Sequence, residues 1–148
     1  MAPPKSVEAE RKYFSVEEAN RALPLVKAIV GDIVRQFDAV NDLKQRLAAV
    51  SGERRRNSAD VYSEELAQSQ SEMTSEESKL AGFIDELTRL GVELKGPDGL
   101  CDFPSHIDGR EVYLCWRLGE PDVSHWHELE AGVAGRQPLD VHATPPTA

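Results

Sequence analysis

The chain has 148 residues and a net charge of -9, a length that predicts one domain and a balance that excludes free nucleic acid as a general partner, because phosphate recognition needs clustered Lys and Arg. No apolar run approaches the roughly 20 residues of a membrane span, and the first residues form no apolar signal segment. A cytoplasmic, reduced protein is therefore expected, with its two cysteines, Cys101 and Cys115, unbridged. The 29% of charged residues and a mean hydropathy of -0.46 favour a shape with much surface, such as a helical hairpin.

Residues 1–12 are Pro-rich and charged and read as a disordered lead-in. Ser15-Val16-Glu17-Glu18 is a capping box, with Phe14 placed to staple onto Ala19 or its neighbours. Pro24 lacks the amide that would bond back to Asn20, so a short helix over 15–22 is expected, then a break, then a longer helix from Pro24. Val26, Val30, Ile33, Phe37, Val40, Lys44 and Leu47 recur at heptad spacing, with one polar lapse at Lys44. Ser51-Gly52 ends that helix, and residues 52–60 form a polar turn containing Arg54, Arg55 and Arg56. A second helix follows from Val61 to Leu90. Its Leu66, Met73, Leu80 and Leu87 repeat every seven residues, and Gly91 stands as its C-cap. Gln70 and Glu77 interrupt the seam towards the turn, while Phe83, Ile84 and Leu90 thicken it at the base.

Beyond Gly91 the pattern changes. Gly96-Pro97-Asp98-Gly99 is a turn, and Asp108-Gly109 between two apolar-rich runs signals a two-residue hairpin. That turn pairs Ile107 with Arg110, Phe103 with Leu114, Asp102 with Cys115 and Cys101 with Trp116. Alternation then puts Cys101, Phe103, Val112, Leu114, Trp116 and Leu118 on a core face. Asp102, Tyr113, Cys115 and Arg117 fall on the other, where Asp102 and Arg117 are diagonal neighbours within salt-bridge reach. The two cysteines point to opposite faces. Pro104 lacks a donor and belongs at an edge or a bulge. Residues 125–132 read as a strand end or a turn or two of helix, and 140–148 as a disordered tail.

The second face, followed by Glu120, His125, His127 and Glu128, gathers the residues that can carry chemistry. Asp102, Cys115, Glu120, His125 and His127 include good ligands for zinc or iron, although no standard zinc spacing is present. Cys115 beside Arg117 and His127 is a candidate thiol site, its plainer counterpart being a buried small hydrophobe. Arg117, Arg136 and His127 can receive an anion, or can simply pair with Asp102, Glu120 or Glu128 to lock the fold. The thin seam of the helical hairpin favours pairing with a second copy. No nucleophile elbow, phosphate loop or di-iron Glu-x-x-His pair occurs.

Phe14, Glu18-Ala19-Asn20, Leu23-Pro24, Gly99-Leu100-Cys101-Asp102-Phe103-Pro104, Val112 to Glu120, Trp126-His127-Glu128 and Gly132 to Pro138 together resemble domain-of-unknown-function family 2203, over about residues 13–139. The resemblance implies a small bacterial protein with a helical hairpin and a compact C-terminal part, and it brings no activity. It implies that Asp102, Cys115, Arg117, Glu120, His127 and Arg136 belong to the family pattern and His125 does not. That weakens a two-histidine metal site.

The expected fold is thus mainly α (α+β): a long, antiparallel, coiled-coil-like helical hairpin over 15–91, closed at its base by a small β-hairpin module over 92–139. The expected function is a non-enzymatic binding or assembly protein that forms a homodimer through the hairpin. The alternative is a metal- or small-ligand-binding protein using Asp102, Cys115, Arg117, Glu120, His127 and Arg136, with Cys115 and His127 as ligands to zinc or iron.

Overall fold

The computed structural model describes residues 11–54 and 60–139, with side chains described for 11–49 and 64–139. Two helices, α1 (Val16–Arg54) and α2 (Asp60–Arg89), pack along each other and lead into a five-stranded antiparallel meander. Its strands, in spatial and chain order, are β1 (Glu93–Leu94), β2 (Leu100–Ile107), β3 (Arg110–Arg117), β4 (His125–Glu128) and β5 (Gln137–Pro138). A 3-10 turn, Val133–Gly135, lies between β4 and β5. The fold is α+β, as the hydrophobic periods require, but the small module is a sheet of five strands rather than one hairpin. The lead-in up to residue 10, the tip residues Arg55 and Arg56 and the tail 140–148 lie outside the described residues.

The capping box forms as its spacing dictates. Ser15 Oγ accepts from the Glu18 amide at 3.0 Å, and Glu18 Oε1 accepts from the Ser15 amide at 3.0 Å. Phe14 is buried, edge-on to Phe103 with ring centroids 5.2 Å apart, so the staple also ties the helix start to the sheet. The expected break at Pro24 does not occur, because α1 is one helix with Pro24 inside it. The ring sits on the exposed face, while Leu23 and Val26 on either side are both in the main core. Their burial outweighs one lost hydrogen bond. The helix also continues past Ser51-Gly52 to Arg54. The lapse at Lys44 is filled by its neighbour: Lys44 is exposed, and Leu43 joins Val40 and Met73 in a small second core with Leu47 and Leu80 against it. Gln36 crosses the seam, donating to the Glu76 carbonyl at 2.9 Å and to its carboxylate at 2.6 Å.

At the base, α2 closes in a Schellman arrangement, with Val92 N–H donating to Leu87 O at 3.3 Å and Gly91 N–H to Thr88 O at 2.9 Å. Leu87 and Val92 are both buried in the main core. The β2–β3 register is the expected one along its whole length, from Ile107 opposite Arg110 to Cys101 opposite Trp116. Asp108 and Gly109 have φ of 54° and 78°, the left-handed pair that a type I′ turn demands. Cys101, Phe103, Leu114 and Trp116 enter the main core with Val26, Val30 and Ile33 of α1, and Leu118 packs against them. Gly99 lets the sheet approach α1, since a Cβ there would lie 2.7 Å from Leu118 Cβ and 3.1 Å from Val30 Cγ1.

Pro104 causes no bulge. It pairs in register with Tyr113, and its carbonyl accepts from Phe14 N–H at 2.8 Å on the side β1 is too short to cover. The missing donor therefore sits at a sheet edge, as the chemistry of proline requires. The strip 11–15 runs along that edge: Ser105 Oγ donates to the Phe14 carbonyl at 2.5 Å, and Arg11 bridges Glu93 at 2.6 Å and Glu111 at 3.3 Å. Arg11 and Lys12, expected in a disordered lead-in, thus belong to the described fold. Asn20, inside α1, clamps the β3–β4 connection. Its Oδ1 accepts from Val123 N–H at 2.7 Å and its Nδ2 donates to the Val123 carbonyl at 3.3 Å.

Candidate metal centre

One face of the sheet packs on the helices, so alternation sends Asp102 of β2, Cys115 of β3 and His127 of β4 to the other. Asp102 lies opposite Cys115, and His127 lies opposite Tyr113, two residues along β3. The connection from β4 to β5 folds back over this face, which is why it is buried: Asp102, Cys115 and His127 are 3%, 0% and 2% exposed. One donor atom from each of the three lies within 4.8 Å of the others.

The hydrogen bonds of His127 are informative. Nδ1 lies 2.8 Å from the Glu128 carbonyl oxygen, an acceptor only, so Nδ1 carries a proton. Nε2 faces Asp102 Oδ1 at 3.0 Å. A buried imidazole oriented by a backbone carbonyl, with its second nitrogen turned to a carboxylate, has the orientation a metal-binding histidine adopts. Burial raises the pKa of Asp102 against the opposing effect of His127. Burial, then the charge of Asp102, pushes the Cys115 thiol up to about 11, with Arg136 pulling the other way. Cys115 is therefore a thiol at neutral pH, and both ring nitrogens of His127 face other partners, so a Cys–His nucleophile pair does not form. Cys101, on the helix face, is raised to about 12 by burial and by Asp102.

The six candidate residues divide into three groups. Asp102, Cys115 and His127 form the cluster. Glu120 and Arg136 form a clamp beside it: two hydrogen bonds of 2.8 Å join them, Arg136 also donates to the Cys115 carbonyl at 3.3 Å, and Glu120 Oε1 accepts from the Arg117 amide at 2.9 Å. Arg136 holds the Glu120 carboxyl below the usual carboxylate range. Arg117 stands outside, its Nε 3.1 Å from Asp98 Oδ2, so the expected Arg117–Asp102 pair is replaced by Arg117–Asp98 and Asp102–His127. Nor does Glu128 pair with either expected arginine; it takes Arg110 at 2.8 Å. Of these pairs, Glu120–Arg136 reaches the connection between β4 and β5, Arg117–Asp98 joins β3 to the turn before β2, and the other two join strands of the sheet; none ties the sheet to the helices. The segment 125–128 is a strand, and His125 does share the face of His127. Its Nδ1 lies 3.1 Å from Ser124 Oγ, and it is not in the cluster.

Beside the cluster lies a cavity of about 260 Å³. Asp102 and His127 form part of its floor, Leu100 and Tyr113 flank them, and Lys95, Leu129, Gly132 and Val133 complete its walls. Sequence reasoning missed this wall and the roles of Asn20 and the Glu128 carbonyl. Asn20 had a signal, being a poor helix former inside a helix. Lys95, Leu129 and Val133 had none, because strand alternation says nothing about which loop folds over a face.

Among the described residues no helix is long and apolar enough to cross a membrane. Neither the curated proteins nor the solved structures include a match to this chain. A family profile does match, over residues 12–139, and it spans both helices and the whole sheet; the chain belongs to the family described as uncharacterized conserved protein DUF2203.

Proposed function

We propose that this protein binds one divalent transition metal, zinc foremost, through Asp102, Cys115 and His127. The observation that carries the reading is the buried carboxylate, thiol and imidazole with donor atoms within 4.8 Å, the imidazole already oriented by the Glu128 carbonyl. A thiolate, a carboxylate and a neutral imidazole suit zinc or ferrous iron and carry two negative charges against the ion's two positive ones. Zinc bond lengths of about 2.0–2.3 Å set tetrahedral donors roughly 3.3–3.8 Å apart, so the widest pair here needs to close by only about 1 Å. Three protein ligands leave a fourth position, as in sites that also take water or a small molecule. The Glu120–Arg136 clamp holds the backbone of Cys115 and so fixes one ligand. A reducing cytoplasmic setting keeps the thiol available.

The test is metal analysis of protein depleted with chelator, incubated with zinc and dialysed. The expected result is about one zinc per chain, lost on Cys115→Ala and on His127→Ala. Zinc retained equally by both variants, or none retained by the native chain, overturns the reading.

Self-association through the helical hairpin is the second reading. Its support is the narrow distal core, three buried residues where the base has many. Against it, the exposed large hydrophobic residues described, Tyr13, Leu25, Leu129 and Val133, all lie away from the distal half. Light scattering of the full chain tests it, and a monomer mass ends the dimer reading.

A further inference from the structure

The cavity beside the cluster has a composition that the metal reading leaves unexplained. Its floor is polar, from Asp102 and His127, and its sides are apolar, from Leu100, Leu129 and Val133. Among the described residues, Leu129 and Val133 are two of the four exposed large hydrophobics, at 43% and 39%, and both stand on this wall. Single exposed apolar residues need no account, but these two line the same cavity and give it an apolar side open to solvent. The ammonium group that lines the cavity is Lys95. Its Nζ meets Glu93 Oε1 at 3.0 Å and lies 5.5 Å over the Tyr113 ring, which uses one of its three donors. The volume, about 260 Å³, exceeds the ~150 Å³ that suffices for benzene.

We propose that this cavity takes a small aliphatic carboxylate, of about four to six carbons, whose carboxylate completes the metal's coordination. The inference rests on the metal reading, because Asp102 alone would repel an anion from the floor. With the ion in place, the charge of Asp102 is neutralised, and the cavity offers a metal position at one side of the carboxylate and Lys95 at the other. The hydrocarbon part lies against Leu100, Leu129 and Val133. A cationic ligand is disfavoured by Lys95, and a larger anion by the volume.

Cobalt(II) replaces zinc as a probe because its visible spectrum reports coordination. Loading reads the metal site alone: a thiolate-to-cobalt band that is absent in Cys115→Ala. Butyrate is then titrated into the loaded protein. The expected result is a saturable change in the cobalt bands, with acetate about tenfold weaker for want of two buried methylene groups and butylammonium without effect. Val133 lies on the cavity wall and outside the ligand set, so Val133→Trp fills the cavity; it keeps the cobalt spectrum and loses the butyrate response. Lys95→Met keeps the cobalt spectrum and weakens butyrate about tenfold or more. A loaded protein whose spectrum ignores butyrate, or a Val133→Trp variant that responds as the native chain does, overturns this inference while leaving the metal reading intact. Absence of the thiolate band overturns the metal reading itself.

Discussion

The two ends of the helical hairpin carry the same heptad repeat and are buried very differently. At the base, Val26, Val30, Ile33 and Leu87 meet Phe103, Leu114 and Trp116 of the sheet in one core. Towards the far end, Val40, Leu43 and Met73 form a separate cluster with only Leu47 and Leu80 against it. A helix pair alone buries one narrow seam, whereas a helix pair closed by a sheet surrounds its side chains on three sides. The base is therefore where the chain is held in one conformation, and it is also where a buried polar cluster can be tolerated. Asp102 and His127 are costly to bury, and a strongly packed layer beneath them offsets that cost. The distal half holds no such group among its described side chains.

The largest test of this contrast is Trp116→Ala. Trp116 is fully buried, and its Nε1 donates to the Glu120 carbonyl at 3.1 Å, so the substitution removes both core volume and a tie to the clamp. The expected loss is about 3–5 kcal/mol, a large share of the stability of a domain this size, read from the urea midpoint. A loss under about 1 kcal/mol would mean that the sheet is not what closes the hairpin.

Met73→Ala gives a smaller and more local effect. Met73 lies in the distal cluster at 9% exposure, and its truncation should cost about 2 kcal/mol. Hydrogen exchange should show faster exchange for amides around Val40 and Met73, with those of β2 and β3 unchanged. Equal acceleration in the sheet would show the two regions to be one cooperative unit.

The smallest expected effect is Glu120→Gln, roughly 1 kcal/mol at neutral pH, because the pair with Arg136 is only partly buried. Its pH dependence is the informative part. The folded pKa of Glu120 is lowered, first by the hydrogen bonds from Arg136. The stabilisation is therefore complete above the unfolded carboxylate value and disappears as pH falls through the lower, folded value. Urea midpoints of the native chain and Glu120→Gln should differ at neutral pH and converge as the pH is taken below the ordinary carboxylate range, through the lowered folded value. A constant difference across that range would assign the effect to packing rather than to charge.

The parts of the site that were legible in the sequence are those governed by alternation. Asp108-Gly109 defines a two-residue turn, the turn defines the register, and the register alone assigns Asp102 and Cys115 to one face and Cys101 and Trp116 to the other. The same rule could not pair Arg117. Its partner, Asp98, comes from the turn before β2, and nothing in strand periodicity orients a turn's side chains. Pro24 shows the converse: a local rule predicted a break, and burial of Leu23 and Val26 overrode it. His125 and His127 were indistinguishable by spacing; the register sets His125 level with Cys115 and Asp102, yet it is the ring of His127, opposite Tyr113, that meets Asp102.

The sequence by itself determined two helices with an apolar seam, a capping box at Ser15, a cap at Gly91 and a β-hairpin in a single register. Each follows from interactions among residues close in the chain, where period and turn chemistry act directly. Only the tertiary structure decided that β4 lies against β3 and that the 129–136 connection covers the polar face. These are contacts that no two-residue turn specifies in advance, chosen by which surfaces can be buried together. They bring His127 to Asp102 and Cys115, and Leu129 and Val133 to the cavity wall.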